Sequence, residues 1–131
     1  MIMEIDFITS NKGKIAALKR SFLNAGRFDI KVNQVQADIV EPQLNNIADV
    51  SKYKAMEAFK ILKKPILVED GGLVIEALNG FPGPYTKYVL STIGIDGILK
   101  LMNGENNRAA KFVSFATFVG NDGTVCQFVR F

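Results

Sequence analysis

An α/β fold with a mixed twisted sheet and flanking helices is predicted by two patterns in the sequence. Early in the chain, short apolar runs alternate with longer segments whose apolar residues recur at helical spacing, the layout of strand–helix–strand units with parallel crossovers. Late in the chain, Lys111 to Val119 leads through Gly120-Asn121-Asp122-Gly123 into Thr124 to Phe131, the pattern of an antiparallel hairpin. The length of 131 residues predicts one domain, 1–131, which would bury about two-thirds of the surface its unfolded form exposes.

Ile2 to Thr9 reads as a buried strand, Ser10 to Gly13 as a polar turn, and Ile15, Leu18, Phe22 and Leu23 as the buried face of a helix that Gly26 stops. A turn of this kind directs free backbone N–H groups and the positive end of the helix dipole outward. Thr9, Ser10, Asn11, Lys12 and Lys14 add hydroxyl, amide and ammonium donors, so the run reads as an anion cradle. It lacks the Walker spacing, and a helix N-terminus dressed with solvated lysines is the competing reading. Phe28 to Val35 reads as a second strand. A polar connection with Glu41 and Pro42 follows, then a helix from Asn45 to about Lys63, with Ile47, Val50, Ala55, Ala58, Phe59 and Leu62 on one face and Pro65 closing it. Thr86 to Ile93 and Ile95 to Met102 read as two short helices broken at Gly94. The apolar strand that runs up to Phe131 predicts either an edge covered by another chain or a fold cut short.

Between these lies the stretch with most chemistry, Pro65 to Leu90. Its apolar run Ile66, Leu67, Val68 reads as a strand ending in Glu69 and Asp70, and Gly71 and Gly72 separate it from a second strand, Leu73 to Ile75. Carboxylates on a rigid strand end beside permissive backbone suit a reactive site, although an acidic pair before Gly-Gly is also a common solvated hairpin turn. The following NGFPGPY is a non-helical loop over the same region.

Composition narrows the chemistry further. The chain has no histidine and one cysteine, Cys126. Histidine-dependent nucleophile activation, the usual zinc and iron sites and an internal disulfide are therefore excluded, leaving carboxylates and lysines as acids, bases and ligands. Such oxygen donors suit Mg2+, or Mn2+. Sixteen basic residues against thirteen acidic ones give a net charge of +3 without a basic block, so a nucleoside triphosphate fits the charge, and nothing in particular favours nucleic acid. No apolar run is long enough for a membrane span, and the N-terminus lacks a signal-peptide layout, so a cytoplasmic protein is expected.

Three stretches, FITSNKGKI at 7–15, VEDGGLVIEALNGFPGPYTKYV at 68–89 and KFVSFATFV at 111–119, resemble the inosine triphosphate pyrophosphatase family in collinear order. The resemblance covers nearly all of the chain. It implies a truncated form of that family's α/β fold, a homodimer, and Mg2+-dependent hydrolysis of ITP, XTP and dITP to monophosphate and pyrophosphate. It further implies that Thr9, Ser10, Asn11, Lys14, Lys54 and Lys87 bind phosphate, that Glu41 and Asp70 bind metal, and that Asp70, with Glu69 beside it, is catalytic. Gly71 stands where the family commonly has serine. The family's glycine-rich aromatic loop and Ser-His-Arg base-recognition motif, which lie beyond the hairpin, are absent from this sequence. Relaxed base selectivity is the corollary. Two other functions compete with pyrophosphatase activity: a nucleotide-binding relative without turnover that acts through dimerisation, and a basic nucleic-acid accessory module.

Overall fold

Every apolar run read as a strand enters one five-stranded sheet. In the computed structural model, which describes residues 2–131, β1 (Met3–Ile8) lies between β2 (Ile30–Val35) and β3 (Ile66–Ile75) and is parallel to both. β4 (Ala110–Val119) pairs antiparallel with β3, and β5 (Val125–Arg130) with β4, giving the order β2-β1-β3-β4-β5. The predicted parallel crossovers and late hairpin are both present. No helix among the described residues is long and apolar enough to cross a membrane.

One helix covers each face. α1 (Lys12–Asn24) seals Phe7, Ile15 and Val32 with Leu18, Phe22 and Leu67. α2 (Ile47–Leu62) carries Ala55 and Ala58 onto Ile66, Val68 and Val119 on the other face. Small residues at the contact let helix and strand approach closely, and Ile66, Val68 and Val119 are almost wholly withdrawn from water, worth about 1.5–3 kcal/mol each. α3 (Thr86–Thr92) and α4 (Gly94–Leu101) close the far end of β3, where Ile75, Val89, Ile98 and Met102 form a separate apolar cluster.

The helix limits follow capping chemistry. Asn11 caps α1, which therefore begins at Lys12, ahead of the Gly13 boundary suggested by the sequence. Asn46 caps α2 through the Asp49 N–H, and Lys63, in the left-handed conformation at φ 52°, ends it.

The Pro65–Leu90 stretch requires a correction. The two strands expected on either side of Gly71-Gly72 are one ten-residue strand, β3, paired with β4 at every position from Ile66–Val119 to Ile75–Ala110. Glu69 and Asp70 consequently sit in mid-strand, and the hairpin-turn reading of this acidic pair is excluded. The glycines serve packing, not a turn. A Cβ on Gly72 would collide with the Gly83 carbonyl oxygen and stand 2.9 Å from Thr86 Oγ1 and 3.0 Å from Ile47 Cδ1. The NGFPGPY loop is thereby laid directly on the strand.

Candidate functional site

Two features of the topology converge on the C-terminal end of β1. The chain crosses from β1 to β2 through α1 on one face and from β2 to β3 through α2 on the other, so the connections diverge there, where ligands of open α/β sheets bind. β3 also outruns β1: the two pair only at Asp6–Ile66 and Phe7–Leu67. Beyond that point the edge of β3 that carries Glu69, Asp70 and Gly71 is open toward the turn after β1.

Strand alternation then separates the two acids. Glu69 shares the α1 face with Leu67, and Lys14 Nζ lies 3.4 Å from its carboxylate and donates to its backbone carbonyl at 3.3 Å. Asp70 shares the α2 face with Val68. Lys54, on α2, donates to Asp70 Oδ1 at 2.7 Å and lies 3.0 Å from Glu41 Oε2, which the loop after β2 brings over the same face. Asp70 and Glu69, both expected at the catalytic position, thus stand on opposite faces, each with its own lysine, around one open strand edge.

Lys54 dominates the electrostatics of the α2 side. Burial works against its charge, but the hydrogen bonds and charges of Asp70, and then of Glu41, outweigh that cost and hold the ammonium above its ordinary value. Asp70 is nearly closed off from solvent, with its side chain 12% exposed. Its second oxygen, Oδ2, is buried and has no hydrogen-bond partner. A buried carboxylate oxygen without a donor costs free energy, and a cation or a water proton would satisfy it.

The turn after β1 is partly self-satisfied. Asn11 Oδ1 accepts the N–H groups of Gly13 at 2.9 Å and Lys14 at 3.3 Å, and Thr9 Oγ1 accepts the Asn11 N–H at 3.0 Å. Thr9 and Asn11 thus shape the turn through their acceptor oxygens, while the Thr9 hydroxyl hydrogen and Asn11 Nδ2 stay available as donors beside the exposed Ser10 and Lys12 and the half-buried Lys14. Lys87 is placed differently from the other expected phosphate ligands. It is exposed on α3, and among the described residues it makes no hydrogen bond or ion pair with the carboxylates. Its neighbour Thr86 points inward instead, accepting the Leu73 N–H at 2.8 Å and donating to the Gly83 carbonyl at 2.7 Å.

Sequence reasoning missed two further groups. Ser51 and Thr117, both fully buried, share a 2.8 Å hydrogen bond, and Gln127 Nε2 donates to Thr117 Oγ1 at 2.9 Å and to the Ala48 carbonyl at 2.8 Å. This network ties α2, one turn before Lys54, to β4 and β5. The other is Arg130, opposite Ser114 in the β4–β5 register, which lines the cavities on either side of Lys14 and Glu69. No local motif marks either one, because both arise from strand register.

Among the described residues no three carboxylates cluster as a ready metal cage. Glu41 and Asp70 do converge on one ammonium, and Asp70 Oδ2 lacks a partner, a donor set that fits a hard divalent ion completed by phosphate oxygens.

Comparison with known proteins agrees with this architecture. A dITP/XTP pyrophosphatase from Methanopyrus kandleri is 42% identical over 126 residues, covering 96% of this chain and 65% of that protein. One from Saccharolobus solfataricus is 37% identical over 125 residues, covering 95% and 62%. The chain thus spans somewhat less than two-thirds of these relatives. The Staphylococcus aureus Ham1 protein superposes with a TM-score of 0.81 at 26% identity over 96% of this chain and 68% of that one. A nucleoside-triphosphatase from Mycobacterium abscessus superposes at 0.84 and 23% identity, over 98% and 70%. With the Ham1 family model matching residues 5–130, the sheet, the capped turn and the acid–lysine pairs belong to a member of the Ham1 family.

Proposed function

We propose that the chain carries the phosphate-handling machinery of a nucleoside triphosphate pyrophosphatase, which cleaves the α–β phosphoanhydride of ITP, XTP or dITP with water to give monophosphate and pyrophosphate. The observation that carries this reading is Lys54, clamped between Asp70 and Glu41 beside an unpartnered Asp70 oxygen. The names of the relatives support the substrate class.

The residues divide the work by face. Ser10, the α1 N-terminus and Lys14 bind phosphate oxygens at the open β3 edge, with Thr9 and Asn11 holding the turn in shape. Lys54 turns from its carboxylates to the triphosphate and neutralises charge growing on the departing pyrophosphate. Asp70, released from part of that ion pair, orients the attacking water and accepts its proton at the oxygen that has no donor. Glu69 holds Lys14 in place from the α1 face. Lys87, exposed on α3, is a further lysine offered to the triphosphate. Glu41 and Asp70 would hold Mg2+, or Mn2+, which would supply charge neutralisation on the phosphates.

The decisive experiment is pyrophosphate release by the purified chain with Mg2+ from ITP, XTP, dITP, ATP and GTP, beside Asp70→Asn. Release that Asp70→Asn abolishes supports the reading, and equal rates on all five would show relaxed base selectivity. No release above that of the variant, with nucleotide still bound, would establish the alternative of a binding protein without turnover. That alternative draws on the exposed Phe128 and Val129 of the β5 edge, which also favour a homodimer. Sedimentation velocity tests the dimer: deleting Gln127 to Phe131 should leave a monomer, and a monomeric full chain would refute it.

A further inference from the structure

The contact between α2 and the sheet is mostly smooth. Ala55 and Ala58 lie on Ile66, Val68 and Val119, small apolar surfaces whose attraction is non-directional and does not fix where the helix stops along the strands. Ser51 is the polar exception on the buried face of α2. It is closed off from solvent one turn before Ala55, and its Oγ lies 2.8 Å from Thr117 Oγ1 and 3.4 Å from the Phe115 carbonyl oxygen.

The hydrogen bonds of this network have a direction. Gln127 Nε2 donates to the Ala48 carbonyl at 2.8 Å, which identifies that end of the amide as the donor, and it also donates to Thr117 Oγ1 at 2.9 Å. The Thr117 hydroxyl then gives its proton to Ser51 Oγ and Ser51 gives its own to the Phe115 carbonyl, so every proton finds an acceptor. A fully satisfied buried network specifies one arrangement of the elements it joins.

Strand register sets this network beside the candidate site. Across the β3–β4 pairing Thr117 is opposite Val68 and Phe115 is opposite Asp70. Ser51 therefore reaches the main chain of the residue that pairs with Asp70, while Lys54, on the next turn of the same helix, reaches the Asp70 carboxylate at 2.7 Å. The ion pair holds the lysine while no ligand is bound. Once the ammonium turns to a triphosphate that restraint is gone, and its long flexible stem fixes nothing by itself.

Resting on the phosphate-handling role of Lys54, we propose that Ser51 and Thr117 are positioning residues for it: their hydrogen bond locks α2 over β4 at the rung of Asp70, so that the released ammonium meets the departing pyrophosphate.

Thr117→Val keeps the shape of the side chain and removes the hydroxyl, whereas Thr117→Ser keeps the hydroxyl and removes the methyl group. The placement of Lys54 is read without nucleotide, by mass spectrometry of lysines acylated with N-hydroxysuccinimidyl acetate, with the exposed Lys52 and Lys60 of the same helix as internal references. Lys54 should be acylated several-fold faster relative to those two in Thr117→Val and Ser51→Ala, and at the wild-type rate in Thr117→Ser. Ile98→Val loosens the separate cluster at the far end of β3 and should also leave that rate unchanged, which distinguishes displacement of Lys54 from general destabilisation. In pyrophosphate release from ITP with Mg2+, Thr117→Val should lower kcat by up to about a hundredfold with little change in KM, the loss that follows when a charged group is misplaced by about 1 Å. Thr117→Ser should keep the wild-type kcat. Adding Ser51→Ala to Lys54→Met should cost no further activity, because the effect passes through the lysine. Thermal melting verifies that each variant folds. Faster Lys54 acylation in Thr117→Val, with no release by the wild type, would uphold the positioning of Lys54 and refute hydrolysis. Unchanged acylation in the variants that lack the hydroxyl or, with an active wild type, equal kcat in Thr117→Val and Thr117→Ser would overturn the positioning role alone.

Discussion

Lys54 has a side chain only 19% exposed, held by two carboxylates of which one, Asp70, is less exposed still. Removing the cation strands a nearly buried acid. Lys54→Met should therefore destabilise the fold by about 2 kcal/mol, toward the lower side of what breaking a buried pair costs because Glu41 is well solvated, as read by urea unfolding near neutral pH. The pH dependence has a definite sign. The folded-state value of Lys54 lies above the ordinary 10.5, so its stabilisation is complete below that value and is lost as pH rises through the higher folded one. The unfolding free-energy difference between wild type and Lys54→Met should shrink on going from about pH 8 to about pH 11.5, and a constant difference would contradict the assigned pairing. Asn11 makes a second case at this scale: Asn11→Ala removes the cap of α1 and should cost about 1 kcal/mol in the same assay.

At the level of elements, β3 is the scaffold on which both acids, the loop and the end helices are mounted. Its integrity depends on Gly72, where no side chain fits beneath the Gly83 carbonyl. Gly72→Ala should lower stability by about 2–4 kcal/mol or prevent folding, whereas Gly71→Ala, facing the Val113 carbonyl at 3.1 Å, should be much milder, a contrast that thermal melting of both variants reads directly. Glycine within a strand marks close backbone approach as well as turns, and this second meaning applies here. The Gly71-Gly72 pair read as a break because sequence shows neither that β4 pairs with β3 without interruption across it nor that the loop presses on Gly72. The β4 and β5 strands are joined to α2 by Ser51, Thr117 and Gln127. Thr117→Val keeps the shape of the side chain but leaves Ser51 and Gln127 short of a partner. It should cost about 1–3 kcal/mol, measured by chemical denaturation.

Across the whole molecule, the candidate site depends on the way the chain crosses the sheet. The turn after β1 reaches the open edge of β3 from the α1 side and the Glu41 loop reaches it from the α2 side, and on the proposed function one triphosphate at that edge would meet both lysines. If Mg2+ is held by Glu41 and Asp70 with substrate phosphates, the melting temperature should rise with Mg2+ and nucleotide together, more than with either alone. Chelation by EDTA should reverse the gain, and Asp70→Asn should show none. Equal stabilisation of wild type and Asp70→Asn would remove Asp70 from the metal site.

Much of this was legible in the linear chain because it rests on local chemistry. Apolar periodicity marked α1, α2 and the outer strands, Gly-Asn-Asp-Gly marked the hairpin, and the absence of histidine confined the candidate chemistry to carboxylates and lysines. The three matching stretches carried the family. Long-range pairing decided the rest. Which face Glu69 and Asp70 occupy depends on β3 running unbroken past the end of β1, and the clamping of Lys54 by Glu41 depends on a loop folding across α2. The inward Thr86, the exposed Lys87 and the contact of Ser51 with Thr117 likewise follow from helix orientation and strand register. Neighbours in sequence alternate across a sheet, so adjacency in the chain becomes separation in space, and only tertiary pairing determines which side each residue takes.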